Sequence, residues 1–156
     1  MISLLWACSG APQPDVVLIT WDTVRADHVA GNPTWDRLAA EGVVFTDARS
    51  PVPITLPAHA TVMSGRYPPG HGARDNGRFT IDTDAPMLAE AFSAAGHRTA
   101  AFVSAPVLEG KSGMSRGFSV YDDDVSLPYR PARETIDAAL TWYQQRAEDA
   151  PTFLWV

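Results

Sequence analysis

The stretch VVLITWD, from Val16 to Asp22, decides how this chain folds. Its first five residues, Val16–Thr20, form a continuous run rich in β-branched side chains, which is the pattern of a strand covered on both faces in a parallel sheet. The carboxylate of Asp22 follows this run closely. In open α/β sheets, ligands bind beyond the carboxyl ends of the strands. The stretch therefore predicts a buried strand that delivers a carboxylate to a ligand-binding edge.

Strands and helices alternate along the rest of the chain. Helical patterns with starting or terminating signals are followed by short apolar runs that are typical of strands. The predicted helices are Thr34–Gly42, Leu56–Ser64, Asp84–Gly96 and Arg130–Asp149, and the further strands are Val43–Phe45, Thr99–Val103 and Thr152–Val156. This alternation predicts an α/β protein with a mostly parallel sheet and helices on its faces.

Composition and charge limit the classes of partner. The 156 residues are 46% hydrophobic and 19% charged, which fits one globular domain. The net charge of −6 means that a nucleic-acid surface would have to form against the overall field, so we expect no nucleic-acid partner. The acidic run Asp122–Asp124 is interpreted as a solvated turn rather than a metal site.

The first residues, MISLLWACSGAPQP, resemble the end of a bacterial lipoprotein signal. A short apolar run ends at Cys8, which in such signals is acylated and becomes the mature N-terminus. The run is shorter than a usual secretory core and no basic residue precedes it, so an apolar tail with a free thiol is the alternative. We expect residues 1–14 to be a truncated leader, with a lipid anchor at Cys8 and a periplasmic or extracellular location.

The stretch PITLPAHATVMSG, Pro53–Gly65, places Thr55 at the expected N-cap of a helix. Capping alone would explain a threonine there. A helix N-terminus also offers free N–H groups and a partial positive charge, which stabilise an anion. A hydroxyl at that point could attack a phosphorus or sulfur centre if a nearby cation held it as an alkoxide. His59, one turn further on, could hydrogen-bond to the hydroxyl or to the bound ester.

Asp22 is the candidate metal ligand. It precedes Thr23, Arg25, Asp27 and His28, and such an oxygen-rich setting suits Ca²⁺, Mg²⁺ or Zn²⁺ alike. The other interpretation is that the Asp22 carboxylate only caps a local turn.

Four segments resemble the motifs of one protein family and occur in the same order as in that family. They are VVLITWDTVRADH, EGVVFTDARSPVPITLPAHATVMSGRYPPGHGARDNG, LAEAFSAAGHRTAAFV and RGFSVYDDD. Together they resemble the N-terminal part of a sulfatase-type member of the alkaline phosphatase superfamily. The resemblance implies an alkaline-phosphatase-like, three-layer α/β/α fold, of which residues 15–156 would be an incomplete, N-terminal part. It also implies that Asp22 binds the catalytic metal, that Thr55 is the nucleophile, and that Asn76 helps to hold the transferred group.

Two positions depart from true sulfatases. That family has cysteine or serine at the position of Thr55, where oxidation makes formylglycine, and it has arginine at the position of His59. Threonine cannot undergo this oxidation, but an unmodified threonine is the nucleophile of related phosphodiesterases and phosphoethanolamine transferases, which bind zinc. The resemblance therefore implies a hydrolase or transferase of small-molecule, glycan or lipid sulfate or phosphate esters, with Ca²⁺ or Zn²⁺ held by Asp22 and Thr55.

The family takes its remaining metal ligands from an aspartate and histidine pair after a strand like TFLWV, and from a later pair. This sequence contains neither pair, so we expect this fragment to be inactive alone. The alternative is a non-catalytic module with the sulfatase fold, used for binding or as a scaffold, in which Thr55 is only a helix cap. Arg66, Tyr67 and His71 also match the family and are interpreted mainly as structural.

Overall fold

A computed structural model describes residues 13–125, 130–145 and 150–156 of the chain. The predicted lipid-anchor residue, Cys8, lies outside these residues and stays a prediction. Asp149, the predicted end of the last helix, also lies outside them, and the helix that the structure describes ends at Gln144. None of the helices in the described part of the chain combines the length and the apolar character that crossing a membrane requires.

Four parallel strands form one sheet in the order β1-β4-β2-β3. The strands are β1 (Val16–Leu18), β2 (Arg98–Phe102), β3 (Val120–Asp122) and β4 (Thr152–Trp155). Leu154 lies in register with Val17 on one side and Ala100 on the other. Every residue of β4 is buried and all but one of β2, as expected for central parallel strands. The predicted α/β class with a parallel sheet is confirmed.

Helices cover both faces of this sheet. They are α1 (Pro33–Glu41), α2 (Thr55–Ser64), α3 (Pro68–His71), α4 (Leu88–Ala94) and α5 (Ala132–Gln144). Because side chains alternate along a strand, Ala101 and Trp155 face a core built with α2, whereas Phe102 and Leu154 face a second core that includes Ala139 of α5. The two cores on opposite faces make the three-layer α/β/α arrangement predicted from the sequence.

The predicted strand Val43–Phe45 is wrong. The structure has irregular backbone there, and the side chains of Val43 and Phe45 are 82% and 80% exposed. A strand persists only where a neighbouring strand takes up its backbone hydrogen bonds, and the described residues place no such neighbour beside this run. Three consecutive apolar residues are too weak a local signal to override that requirement.

The acidic run was also misinterpreted in part. Asp122 ends β3, a strand that the sequence did not predict because glycines and polar residues surround it. Its carboxylate accepts two hydrogen bonds from the guanidinium of Arg130, at 2.7 and 3.1 Å, and both side chains are mostly buried. Asp122 is therefore part of a bidentate ion pair rather than of a solvated turn.

Helix α4 begins later than the predicted Asp84. The backbone of Met87 is extended, and its N–H donates to the Glu90 carboxylate at 3.1 Å, which closes the first turn. The guanidinium of Arg116 donates to the carbonyls of Thr83 and Ala85, both at 2.5 Å. These carbonyls are consequently engaged outside the helix, which starts at Leu88.

His71 is a fully buried side chain beneath α2. The Thr61 hydroxyl donates to the Pro57 carbonyl at 2.9 Å, so it must accept from His71 Nε2–H, which lies 3.1 Å away. The Nδ1 atom is left without a partner among the described residues. Burial lowers the pKa of His71, although the negative charge of Asp82 opposes this effect. The interpretation of His71 as structural agrees with this position.

We expect the stability of the chain to fall as the pH drops from 7.5 to 5.5. Unfolded His71 takes up a proton near its ordinary pKa of 6.5, whereas the folded side chain resists protonation until a lower pH, so acid favours unfolding. His71→Gln should cost about 1–2 kcal/mol at pH 7.5, but it should reduce the loss between the two pH values. Urea unfolding at both pH values measures this, and an identical loss in both proteins would contradict it.

Candidate active site

Asp22 and Thr55 meet at the carboxyl edge of the sheet. The chain leaves β1 at Leu18 and turns at Thr23, whose φ of 58° lies in the left-handed region that β-branched residues rarely adopt. The Thr55 hydroxyl donates a hydrogen bond to Asp22 Oδ2 at 3.1 Å, across 33 positions of sequence. The structure thus brings together the two side chains that the sequence named as nucleophile and metal ligand, and their chemical roles stay predictions.

Thr55 does not cap α2, contrary to the expectation from sequence. The N-cap is Ile54, with extended backbone at φ −138° and ψ 131°, and its side chain makes no capping hydrogen bond. Thr55 is the first helical residue, where its side chain is directed to Asp22 instead of to the helix backbone. Its hydroxyl therefore lies at the tip of the helix without making a capping hydrogen bond to the helix backbone.

Asn76 takes over the capping role for this helix. Its Oδ1 atom accepts a hydrogen bond from the backbone N–H of Leu56 at 2.9 Å. Because that N–H is a donor, the facing atom must be the amide oxygen, and the Nδ2 group at the other end keeps its two protons. The preceding Asp75 accepts from the N–H groups of Arg78 and Gly77, which lower its pKa and fix the loop. Asn76 is thus held at the tip of α2.

His59 contacts the backbone of Thr55, not its hydroxyl. Its Nδ1 atom lies 2.8 Å from the Thr55 carbonyl oxygen, which can only accept, so the neutral ring carries its proton on Nδ1. The Nε2 atom is then an acceptor with no hydrogen-bond partner in the described part of the chain. The ring is buried and tilted against Trp155, with centroids 5.8 Å apart. The structure does not show the predicted hydrogen bond to the hydroxyl, and a bond to a bound ester stays a prediction.

The donor set fits part of a metal site. Two oxygens 3.1 Å apart are spaced as two ligands of one cation when each lies about 2.0–2.4 Å from it, which suits Zn²⁺ or Ca²⁺. Within the described ranges, no group of three or more His, Cys, Asp or Glu side chains could hold a metal ion. Asp27 is engaged by Arg25 in an exposed ion pair, with contacts of 3.0 and 2.6 Å. Asp22 and Thr55 are therefore the donors that the described chain offers here.

Two adjoining cavities flank the pair. The larger one, about 720 Å³, is an open cleft between the segment after β1, the segment 48–54 and α2, and Thr55 lines it. The smaller one, about 190 Å³, lies at the ends of β2 and β4 beside α5. Four residues line both cavities: Thr20, Trp21, Asp22 and His59. The nucleophile candidate therefore lies in a cleft large enough for a small ester.

Sequence reasoning missed Arg49, which also lines the cleft. Its guanidinium is exposed and binds Asp47 at 2.9 and 3.2 Å. A guanidinium at an anion-binding cleft is a natural partner for sulfate or phosphate oxygens. The only signal in the sequence was an arginine a few residues before the helix, which is too common a feature to single out.

Comparison with known proteins identifies the family to which the chain belongs. A family model described as Sulfatase matches residues 14–156. The chain is 32% identical over 87 residues to a steryl-sulfatase of Rattus norvegicus, a match covering 51% of this chain and 15% of that protein. It is 34% identical over 95 residues to an ulvan-active sulfatase of Formosa agariphila, covering 56% of the chain and 18% of the relative.

An N-acetylgalactosamine-6-sulfatase of Mus musculus is 35% identical over 72 residues, covering 41% of the chain and 14% of the relative. The chain thus spans less than a fifth of the length of these curated relatives. The family match nevertheless includes β1, α2 and β4, and with them Asp22, Thr55 and Asn76. From its match over nearly all residues and its parallel α/β/α architecture, the chain belongs to the sulfatase family.

Proposed function

We propose that this chain carries the nucleophile side of the active site of a metal-dependent hydrolase or transferase of sulfate or phosphate esters. Membership of the sulfatase family supports sulfate ester hydrolysis as the activity at the family level. The relatives' names refer to steryl, ulvan and N-acetylgalactosamine sulfates, which differ widely in their organic part. The observation that carries the proposal is the 3.1 Å contact between Thr55 Oγ1 and Asp22 Oδ2 at a helix tip.

In this proposal the Thr55 oxygen attacks sulfur or phosphorus. A bond forms from that oxygen to the central atom, the bond to the ester's alcohol oxygen breaks, and the alcohol leaves with a proton. Water then attacks the covalent ester and restores the hydroxyl, or an acceptor alcohol does so in a transferase. The partial positive charge at the start of α2 favours the negative oxygens of the transferred group.

The first turn of α2 has one backbone donor left for such a group. Leu56 N–H is taken by Asn76, Pro57 has no N–H, and Ala58 N–H bonds to the Ile54 carbonyl at 3.1 Å. The N–H of Thr55 itself has no acceptor in the described part of the chain. We infer that this N–H and the Asn76 Nδ2 group bind the oxygens of the transferred group, with His59 Nε2 close by.

Asp22 and Thr55 would hold the cation, either Ca²⁺ or Zn²⁺. When bound, it supplies the positive charge that favours the deprotonated form of the Thr55 hydroxyl. A zinc site usually has three or four protein ligands, so two donors do not complete it. We propose that the remaining ligands lie in the part of the relatives' length that this chain does not cover.

We expect the 156-residue chain to bind metal only weakly and to have negligible hydrolase activity. Calorimetric titration with Zn²⁺ or Ca²⁺ should give a dissociation constant weaker than about 10 μM, because two oxygen ligands cannot replace a full coordination shell. Asp22→Asn should weaken any residual binding further, whereas Asp27→Asn, at an exposed carboxylate paired with Arg25, should not. Tight stoichiometric binding to the unaltered chain would contradict this expectation.

The substrate class is tested by comparing an aryl sulfate, a phosphate monoester and a phosphodiester. The longest natural form of the protein should hydrolyse at least one of them when Zn²⁺ or Ca²⁺ is supplied. Sulfate hydrolysis is supported by the family, while an unmodified threonine supports phosphate esters, since it cannot form the aldehyde on which true sulfatases depend. Failure on all three substrates would favour a non-catalytic module with this fold.

Export belongs to the same proposal. The apolar residues before Cys8 and the small residues after it support a lipoprotein-type leader, and with it a periplasmic or extracellular location. Mass spectrometry of the protein purified from its natural source would show acylation of Cys8, and an unmodified thiol there would remove this part of the proposal.

A further inference from the structure

The smaller cavity beside the Asp22–Thr55 pair is walled mainly by apolar and aromatic side chains. Its large lining side chains include Ile19, Trp21, Phe102, Ile136 and Trp155. The cavity opens at the carboxyl ends of β1, β2 and β4, next to the first turns of α5. Concave apolar sites at this edge of a parallel sheet are where α/β proteins bind small molecules.

Two pairs of polar groups in these walls are hydrogen-bonded to each other. The indole N–H of Trp155 donates to the Thr20 hydroxyl at 3.2 Å, and the hydroxyls of Ser104 and Thr135 lie 2.6 Å apart in a mutual hydrogen bond. Ordered water occupies a cavity when it finds two or more unsatisfied polar partners. Away from Asp22 and His59, the paired hydroxyl and indole groups and the apolar side chains therefore favour an apolar occupant over water.

The cavity adjoins the candidate active site. Asp22 and His59 line both the cavity and the cleft that contains Thr55, and the Thr55 hydroxyl touches Asp22. The Asp22 and His59 side chains thus lie at the boundary between the cavity and the cleft that Thr55 lines. An ester held with its sulfate or phosphate at Thr55 can place its organic group in this space.

We propose that the cavity binds the apolar part of the ester's alcohol half, a group about the size of a phenyl ring. Its volume of about 190 Å³ exceeds the roughly 150 Å³ of a dry engineered cavity that binds benzene. Only the identity of the occupant, as part of an ester, rests on the proposed function. The preference of the cavity for a small aromatic ring follows from its walls alone.

Fluorobenzene is the probe for this proposal, because it carries the ring and no ester. Titrated into the folded 156-residue chain, it should bind saturably with a dissociation constant on the order of 1 mM or tighter, a value within reach of a ligand of seven heavy atoms. Fluorine NMR of the probe and the indole N–H signal of Trp155 report the binding. A folded chain that shows no saturable binding would overturn the proposal.

Two matched tryptophan variants on α5 locate the probe. Ile136 lines the cavity and is 39% exposed, whereas Leu140, one turn further along, is 49% exposed and lies outside the lining. Ile136→Trp should fill the cavity and weaken fluorobenzene binding at least tenfold, while Leu140→Trp should leave it within twofold. Equal weakening in both variants would place the probe on the helix surface and overturn the assignment.

If circular dichroism shows that Ile136→Trp does not fold, Ile136→Ala provides the same test by removing part of the wall. We expect at least threefold weaker binding from it, and unchanged affinity would contradict the proposal. Since fluorobenzene binding requires neither metal nor turnover, a failure here leaves the Thr55 and Asp22 roles standing. Loss of those roles would equally leave the cavity as a site for aromatic rings.

Discussion

Thr55→Ala is expected to lower the rate of ester hydrolysis by at least about 10³-fold, because it removes the oxygen that attacks the ester. Thr55→Ser keeps that oxygen and should retain activity within about 100-fold of the unaltered protein, the loss reflecting a less restricted side chain. Both variants are to be assayed in the longest natural form of the protein with metal supplied. The expected split between alanine and serine is what identifies a nucleophile.

A loss of fold would not explain this result. Among the described residues the Thr55 hydroxyl makes one hydrogen bond, to the exposed Asp22, so its removal should cost no more than about 1 kcal/mol of stability. Asp22→Asn should lower the rate by a comparable factor, since it weakens the metal site, whereas Asp27→Asn serves as a control at an exposed, paired carboxylate. Full activity in Thr55→Ala would remove the nucleophile assignment, and with it the central claim of the proposed function.

The central strands and the helix that carries Thr55 could be predicted because their local patterns agree with their final environment. Thr152–Trp155 and Arg98–Phe102 are short β-branched or apolar runs, and they form the two strands that lie inside the sheet. Helix α2 ends at Gly65 in the left-handed conformation that glycine adopts without strain. Where the local sequence preference and the tertiary environment favour the same secondary structure, the sequence alone is enough to predict it.

Prediction from sequence failed where the secondary structure of a segment depends on contacts outside that segment. Val43–Phe45 has the composition of a strand but no strand beside it in the described chain, whereas Val120–Asp122 has a weak pattern and is paired with β2. Helix α1 was predicted to begin at Thr34, but it begins at Pro33 and is capped by Asn32, which accepts from two backbone N–H groups. Strand pairing and capping geometry depend on the three-dimensional positions of other segments, which the composition of a short segment does not determine.

In the candidate active site, too, some features could be predicted from the sequence and others could not. That Asp22 and Thr55 would lie close together followed from the rule for strand ends and from the family resemblance, and the structure places them in contact. That Asn76 would satisfy Leu56 N–H, and that His59 would bond to a carbonyl, did not follow. These details set which donors remain free for an anion, and they follow from three-dimensional positions that the sequence pattern does not specify.

Gly117→Ala is expected to destabilise the fold by about 3–5 kcal/mol, a large fraction of the roughly 5–15 kcal/mol that stabilises an ordinary domain. Gly117 has a φ of 83°, and a Cβ atom built there would lie 2.2 Å from the backbone nitrogen of Glu90 and 2.5 Å from the carbonyl carbon of Ala89. Both atoms belong to the first turn of α4, which the hydrogen bond between Met87 N–H and the Glu90 carboxylate holds in place. The obstacle is backbone, so no side-chain rotation can relieve it.

Gly96→Ala is the matched control, because the two glycines share their conformation and differ in their surroundings. Gly96 has a φ of 89°, but a Cβ atom there meets nothing within 4 Å, so this variant should cost only about 1–2 kcal/mol from the left-handed backbone. Urea unfolding of the two variants separates the free-energy cost of the clash from that of the left-handed backbone. If Gly117→Ala does not fold, the yield of soluble protein is compared between the two variants instead. The Gly117 carbonyl accepts from the Thr99 hydroxyl of β2 at 2.7 Å, so a shift of this loop would disturb the central strands as well. Equal costs at the two positions would mean that α4 yields to the added methyl group and that its packing against this loop is not what fixes β2.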